Sequence, residues 1–275
     1  MSYIPLLNRG VIVLYGPDVR SFLQGVITND INKLNSQKAI YSLLLSPQGK
    51  YLYDFFLIKH GKYILLECEN LYLQQIIEKL DLLKTYLRVK IKNISSLYRV
   101  GILFNTNSME CSCESQVIFQ DPRHKLLEMR IIHKNEIKEL VGDSTQYERV
   151  RIQNLVPDGA KDMVQNSSFP LQYLIDKVNG ISFEKGCYIG QEVTRQMRRQ
   201  ETFRKKLYLI EGDNILPNIG AKVTNENNEE VGELRSSIDN IGLALLNTRK
   251  SHANLHADGV ELFVHQSVYE KKAFK

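Results

Sequence analysis

From Lys206 onward the chain carries no helical period. Its apolar residues fall in five short runs, at 206–210, 221–224, 230–236, 241–247 and 261–265, broken by Asn, Gly, Pro and Asp. Strands this short leave exposed edges unless the sheet closes on itself, so the spacing predicts a small C-terminal β-barrel of roughly seventy residues. The boundary falls near residues 200–205, giving a body over 1–200 and a barrel domain over 201–275. Within the body, strand-sized runs alternate with helical ones, which makes the fold class α+β.

Residues 11–14 read as a strand, and Gly16-Pro17-Asp18 as a turn into a helix that Asp18 is placed to cap. Val19, Phe22, Leu23 and Val26 give that helix one apolar face, and Thr28-Asn29-Asp30 ends it. Segments 40–45 and 51–58 form a hairpin through Ser46-Pro47-Gln48-Gly49-Lys50. Further strands are expected at 63–67, 89–94, 100–104 and 126–132. A helix over 71–87 presents Leu73, Ile76, Ile77, Leu80 and Leu83, and others are expected at 146–154, 170–178 and 190–199. Residues 105–115 are polar and aperiodic, hence a loop.

No apolar run approaches the ~20 residues needed to cross a bilayer, so no membrane partner is expected. Residues 1–5 lack the charged start and apolar core of a signal peptide and the Arg-rich face of a transit peptide, which points to the cytoplasm. Thirty-six basic against 31 acidic residues leave a net charge of +5, which permits anionic partners without demanding them. The four cysteines, Cys68, Cys111, Cys113 and Cys187, are too few for a disulfide framework in 275 residues.

One stretch stands out chemically. In Lys185-Gly186-Cys187-Tyr188-Ile189-Gly190-Gln191-Glu192 two glycines bracket a cysteine and a tyrosine, so the backbone can turn sharply and admit another molecule. Cys187 comes just before the expected helix, whose N-terminus favours a thiolate, and Lys185 would push the same way. The plainer alternative is a small buried hydrophobe.

The stretch also matches every fixed position of the K-G-C-Y-x-G-Q-E motif, and on it the chain resembles the YgfZ-type folate-binding proteins, relatives of the glycine-cleavage T-protein. The resemblance extends to Phe22-Leu23-Gln24-Gly25 with Thr28-Asn29-Asp30, to Ser46-Pro47-Gln48-Gly49-Lys50 with Asp54, and to Val231-Gly232, Ser236 and Gly242 in the barrel. It implies a three-lobed, T-protein-like (GcvT-like) ring whose centre holds tetrahydrofolate. It also implies support for building or repairing iron–sulfur clusters in client enzymes, tRNA-modifying radical enzymes among them. On this reading Cys187 is the working thiol, a redox thiol or a ligand of a transient cluster shared with a partner, and Lys185 helps keep it ionised. Tyr188, Gln191 and Glu192 shape the loop and the folate cavity, Arg195 is a charge partner on the same side, and Asn29 or Asp30 meets the folate. Two positions depart from the pattern. A glycine is expected near Asn154, and the helix aspartate used by the T-protein is absent from Asn70-Leu71-Tyr72-Leu73-Gln74-Gln75. Aminomethyl or methyl transfer is therefore the alternative rather than the main reading, and the chain is not expected to be a conventional enzyme.

Cys111-x-Cys113 supplies half a metal site at most, with His124 and His133 in no ligand pattern, so no resident metal is expected. Arg195, Arg198, Arg199, Arg204, Lys205 and Lys206 form a basic cluster after the motif. It reads as a solvated helix end that offsets the dipole, or as a contact for a folate tail or RNA phosphates. Aromatics for base stacking are limited to Phe203 and Tyr208, so direct tRNA binding is not expected, and a tRNA-binding module stands only as a further alternative function.

Overall fold

The computed structural model describes residues 2–104, 111–112, 115–134, 137, 142–200, 203–251 and 254–265. In chain order the strands are β1 (Ser2–Pro5), β2 (Arg9–Tyr15), β3 (Ala39–Leu45), β4 (Tyr51–His60), β5 (Tyr63–Glu69), β6 (Lys90–Asn93), β7 (Arg99–Phe104), β8 (Cys111–Ser112), β9 (Gln116–Gln120) and β10 (Met129–His133). The barrel strands are β11 (Lys205–Gly212), β12 (Lys222–Asn225), β13 (Glu230–Ile238), β14 (Ile241–Asn247), β15 (Leu255–Ala257) and β16 (Val260–His265). The α-helices are α1 (Val19–Val26), α2 (Leu73–Lys84), α3 (Ser144–Gln153), α4 (Gly159–Asp162) and α5 (Gln191–Gln200).

Three sheets organise the molecule. One has the order β3-β4-β5-β2-β6, a second β1-β7-β10-β9-β8, and the third closes into the barrel β11-β14-β13-β12-β15-β16. The first strand belongs to the second sheet and the next strand to the first, so the two body lobes are interleaved along the chain.

Sheet one is buried on both faces, and the period of two decides which residue faces where. Ile40, Leu44, Phe55, Leu57, Ile64 and Leu66 pack under α1 and α2, against Phe22, Leu23, Ile76 and Leu80. The alternate positions Tyr41, Leu43, Phe56, Ile58 and Leu65 face the second lobe, where Ile102, Phe119 and Ile132 meet them. At roughly 25 cal/mol per Å² of apolar surface removed from water, this two-sided burial is the main force joining the lobes.

Several expectations shift in detail. Helix α2 begins later than residue 71, because Asn70–Tyr72 is a 3₁₀ turn, and ends at Thr85 with φ +46. Pro170–Tyr173 is only a 3₁₀ turn, since Leu174 takes φ +60, which a helix cannot continue. Asp18 does not cap α1 with its side chain; its carboxylate accepts from the backbone N–H and Nε of Arg88 instead. In the expected loop 105–115, Cys111–Ser112 forms the edge strand β8, while Cys113 and residues 105–110 lie outside the described residues. Strands β1, β9 and β15 were not legible in the pattern. Near Asn154, where a glycine was expected, Leu155 takes the left-handed φ of +54.

Candidate functional site

The motif runs as a loop from Ser182 to Gly190 into α5, and side chains of α5 hold it. Gln191 donates from Nε2 to the carbonyl of Gly186 at 3.2 Å. Arg195 donates from Nη2 to the carbonyls of Phe183 at 3.3 Å and Lys185 at 3.4 Å. Arg198 stacks its guanidinium 3.8 Å from the Phe183 ring centroid. Gly190 turns the chain into the helix at φ +82, where an added Cβ would lie 2.6 Å from the Ser46 carbonyl oxygen. The result is a loop tied at three carbonyls on which Cys187 is an exposed free thiol. Glu192 is exposed on the first turn of α5 beside it.

Lys185 points the other way. Its ammonium is buried and donates to the carbonyls of Gln24 at 2.7 Å, Ile27 at 2.8 Å and Asn29 at 2.9 Å. These lie at the C-terminal end of α1, where a cation is favoured by the helix dipole. Burial pushes the lysine down to about 8, with Asp30 opposing the shift. The carbonyls keep it a full donor below that pH. All three protons are thereby committed, so Lys185 fixes the loop rather than standing free beside the thiol as expected. Tyr188 is also buried, in the core between lobes, 5.0 Å from the Lys185 ammonium. Burial pushes its phenol up to about 12, with Thr194 and Arg195 opposing the shift.

Asn29 uses its whole amide internally. Oδ1 accepts from the Asp30 backbone N–H at 2.8 Å and from Lys33 Nζ at 2.9 Å, while Nδ2 donates to the carbonyls of Tyr41 at 2.8 Å and Asn179 at 2.7 Å. Asp30 caps the following 3₁₀ turn through Asn32 N–H and accepts from Gln24 Nε2. Both residues therefore organise a turn, and neither presents an idle group to a ligand through these atoms. Asn29 does line a cleft of about 360 Å³ between β3 and the Gln120–Pro122 corner, closed by Asn179. The motif loop reaches this cleft through the Lys185–Asn29 hydrogen bond, and Cys187, Gln191 and Arg195 are not among its lining residues.

The structure also assembles a buried charged centre that the sequence pattern did not reveal. Glu67 of β5 accepts from Arg9 Nε at 2.7 Å and from Arg130 Nε of β10 at 3.0 Å. Arg123 pairs with Asp121 at 2.8 Å and donates to Tyr147 Oη at 2.8 Å. Asp54 is held up by burial, against Arg9, and accepts from Tyr41 Oη at 3.0 Å and Tyr51 Oη at 2.8 Å. Toward the barrel, Asp162 accepts from Arg151 and from the N–H and Oγ of Ser236. The only sequence signal for Glu67 and Arg130 was a lone charge inside an otherwise apolar strand. His133, one of the histidines weighed for metal, hydrogen-bonds Tyr3 Oη at 2.8 Å in the interior.

These features define a T-protein-like protein with an exposed cysteine on a fastened loop and a separate buried charged centre joining its two body lobes. The comparisons agree. The glycine cleavage system aminomethyltransferase T from Bartonella henselae superposes with a TM-score of 0.76 over 96% of this chain and 85% of that one, at 13% identity. Residues 204–268 match the CAF17 C-terminal beta-barrel domain. The human iron-sulfur cluster assembly factor IBA57, mitochondrial, is 29% identical over 95% of this chain and 82% of its own length. The Dictyostelium discoideum IBA57 homolog is 25% identical over 75% and 62%. The chain is thus similar along most of its length to the IBA57-type iron–sulfur cluster assembly factors and, in its barrel, to the CAF17 C-terminal domain, on a T-protein-like fold.

Proposed function

We propose that this protein helps build or repair iron–sulfur clusters in client enzymes, radical enzymes that modify tRNA among them, by offering Cys187 as a thiolate. The observation that carries the reading is the loop itself. Three carbonyls are fastened by Gln191 and Arg195 and the ammonium of Lys185 is buried beneath, yet the one sulfur is left in solvent. A cysteine kept only for packing would be inside, as Cys68 is. One thiolate cannot hold a cluster, so any cluster is cargo shared with a partner protein.

Tetrahydrofolate is the cofactor that the fold family implies. The cleft beside Asn29 fits part of such a molecule: strand β3 at Ala39–Tyr41 forms one wall, Gln37 and Gln120 bring amide side chains, and Lys33 and Lys38 bring positive charge. Folate there would supply one-carbon or redox chemistry. The residues of this chain bind it and, through Asn29 and Lys185, tie its site to the loop.

The test is rescue of cells lacking the protein, with iron–sulfur enzyme activity as the readout. Wild type should restore activity and Cys187→Ala should not. Equal rescue by both would refute a working thiol.

A further inference from the structure

The cleft beside Asn29 is lined by two lysines and by no carboxylate. Its wall is Asn29, Lys33, Ser36, Gln37, Lys38, Ala39, Ile40 and Tyr41 on one side, with Gln120, Pro122 and Asn179 opposite, and no carboxylate among them. Both lysines are half-buried. The Lys33 ammonium is steered by a neutral acceptor, Asn29 Oδ1 at 2.9 Å, which orients it without neutralising it. Neither Lys33 nor Lys38 forms an ion pair among the described residues. Asp30, the nearest acid in sequence, gives its Oδ1 to Gln24 and to the turn.

The frame around these cations is rigid. Asn29 bonds β3 at Tyr41 and the Asn179 carbonyl, and Asn179 in turn donates to the Pro122 carbonyl at 2.9 Å. Arg20 fastens the outer turn through the Ile31 carbonyl and Asn35. Half-buried positive charge on a fixed frame, with amides beside it, is an arrangement suited to a small oxyanion.

We infer that Lys33 and Lys38 form an oxyanion-binding subsite, taking carboxylate or phosphate groups of a small organic molecule whose body lies against the Ala39–Tyr41 wall. The subsite stands on its own geometry and does not require that the body be a pterin. If the ligand is a folate, the subsite takes the glutamyl carboxylates, and a polyglutamyl chain binds more tightly than a single glutamate.

The experiment is calorimetric titration of the full chain with three probes: pteroyl-triglutamate, pteroyl-monoglutamate and inorganic pyrophosphate. The proteins are wild type, Lys33→Gln/Lys38→Gln and Lys33→Arg/Lys38→Arg. Expected is saturable, salt-sensitive binding of the triglutamate or of pyrophosphate, weakened about tenfold or more in the glutamine variant and largely kept in the arginine one. Which of the two probes binds identifies the source of the oxyanion. Equal binding of both folates to wild type and glutamine variant would overturn the subsite while leaving folate binding intact. No binding by any probe, in protein that melts like wild type, would overturn it as well. Pyrophosphate binding alone would keep the subsite and count against folate.

Discussion

Lys185 Nζ lies 2.9 Å from the backbone carbonyl oxygen of Asn29, and so joins the cysteine loop to the turn that ends α1. The same Asn29 lines the cleft and receives Lys33 through its side chain. Two parts of the chain more than 150 residues apart therefore share one polar junction: Lys185 and Asn29 are separated by 156 positions.

Replacing Lys185 with Met tests that junction. Three carbonyls at the end of α1 would lose their donor inside the protein, for a cost of about 2–4 kcal/mol. Urea melts should show a lower midpoint, and Cys187 should react faster with iodoacetamide because its loop is no longer fastened below.

Cys187→Ala is expected to leave stability within about 0.5 kcal/mol of wild type, since the side chain is exposed and makes no core contact. Thermal melting checks this. Loss of cellular rescue with unchanged melting separates a working thiol from a packing one.

Glu67 and Arg130 cross from one lobe to the other, both with side chains almost wholly buried. Glu67→Gln should cost about 3 kcal/mol, because Arg9 and Arg130 would lose their closest counterion and keep only the longer contacts to Glu69 and Asp121, each at 3.4 Å. The pH dependence follows from the direction of the shift. Burial raises the Glu67 carboxyl, but Arg130 and Arg9 outweigh it and hold it below 4.5. Its stabilisation is thus complete above pH 4.5 and is lost as pH falls through the lowered folded value. Urea midpoints across the acid range should fall for wild type more steeply than for Glu67→Gln; parallel slopes would show that Glu67 is not the group lost.

Gly190→Ala probes the entry to α5. At φ +82, with Ser46 O 2.6 Å from the added Cβ, the variant must shift the helix start or the β3–β4 turn. A loss of at least about 1–2 kcal/mol is expected in denaturant melts.

Much of the body was legible because its signals are local. The apolar face of Val19, Phe22, Leu23 and Val26 and the hairpin around Ser46–Lys50 need only periodicity and turn chemistry, and the structure has both. Strand β15 was missed because its three residues are too few for a period, and β1 because its partner, β7, lies some hundred positions along the chain. Helix 170–178 was overestimated because nothing in its composition announces the left-handed Leu174.

For the site, local residue chemistry was enough to mark the reactive side chain. A cysteine between glycines before a helix, in a fixed motif, marks Cys187, and it is exposed. Where each neighbour points depended on packing between distant segments. Lys185 turned inward because three carbonyls of a distant helix end await a donor, and Asn29 closed on itself because β3 and Asn179 offer acceptors. Glu67 and Arg130 found each other across two sheets whose facing sides are set by the alternation of each strand. Such pairings depend on which surfaces the packed lobes bring together, a property of the whole fold and not of any segment in it.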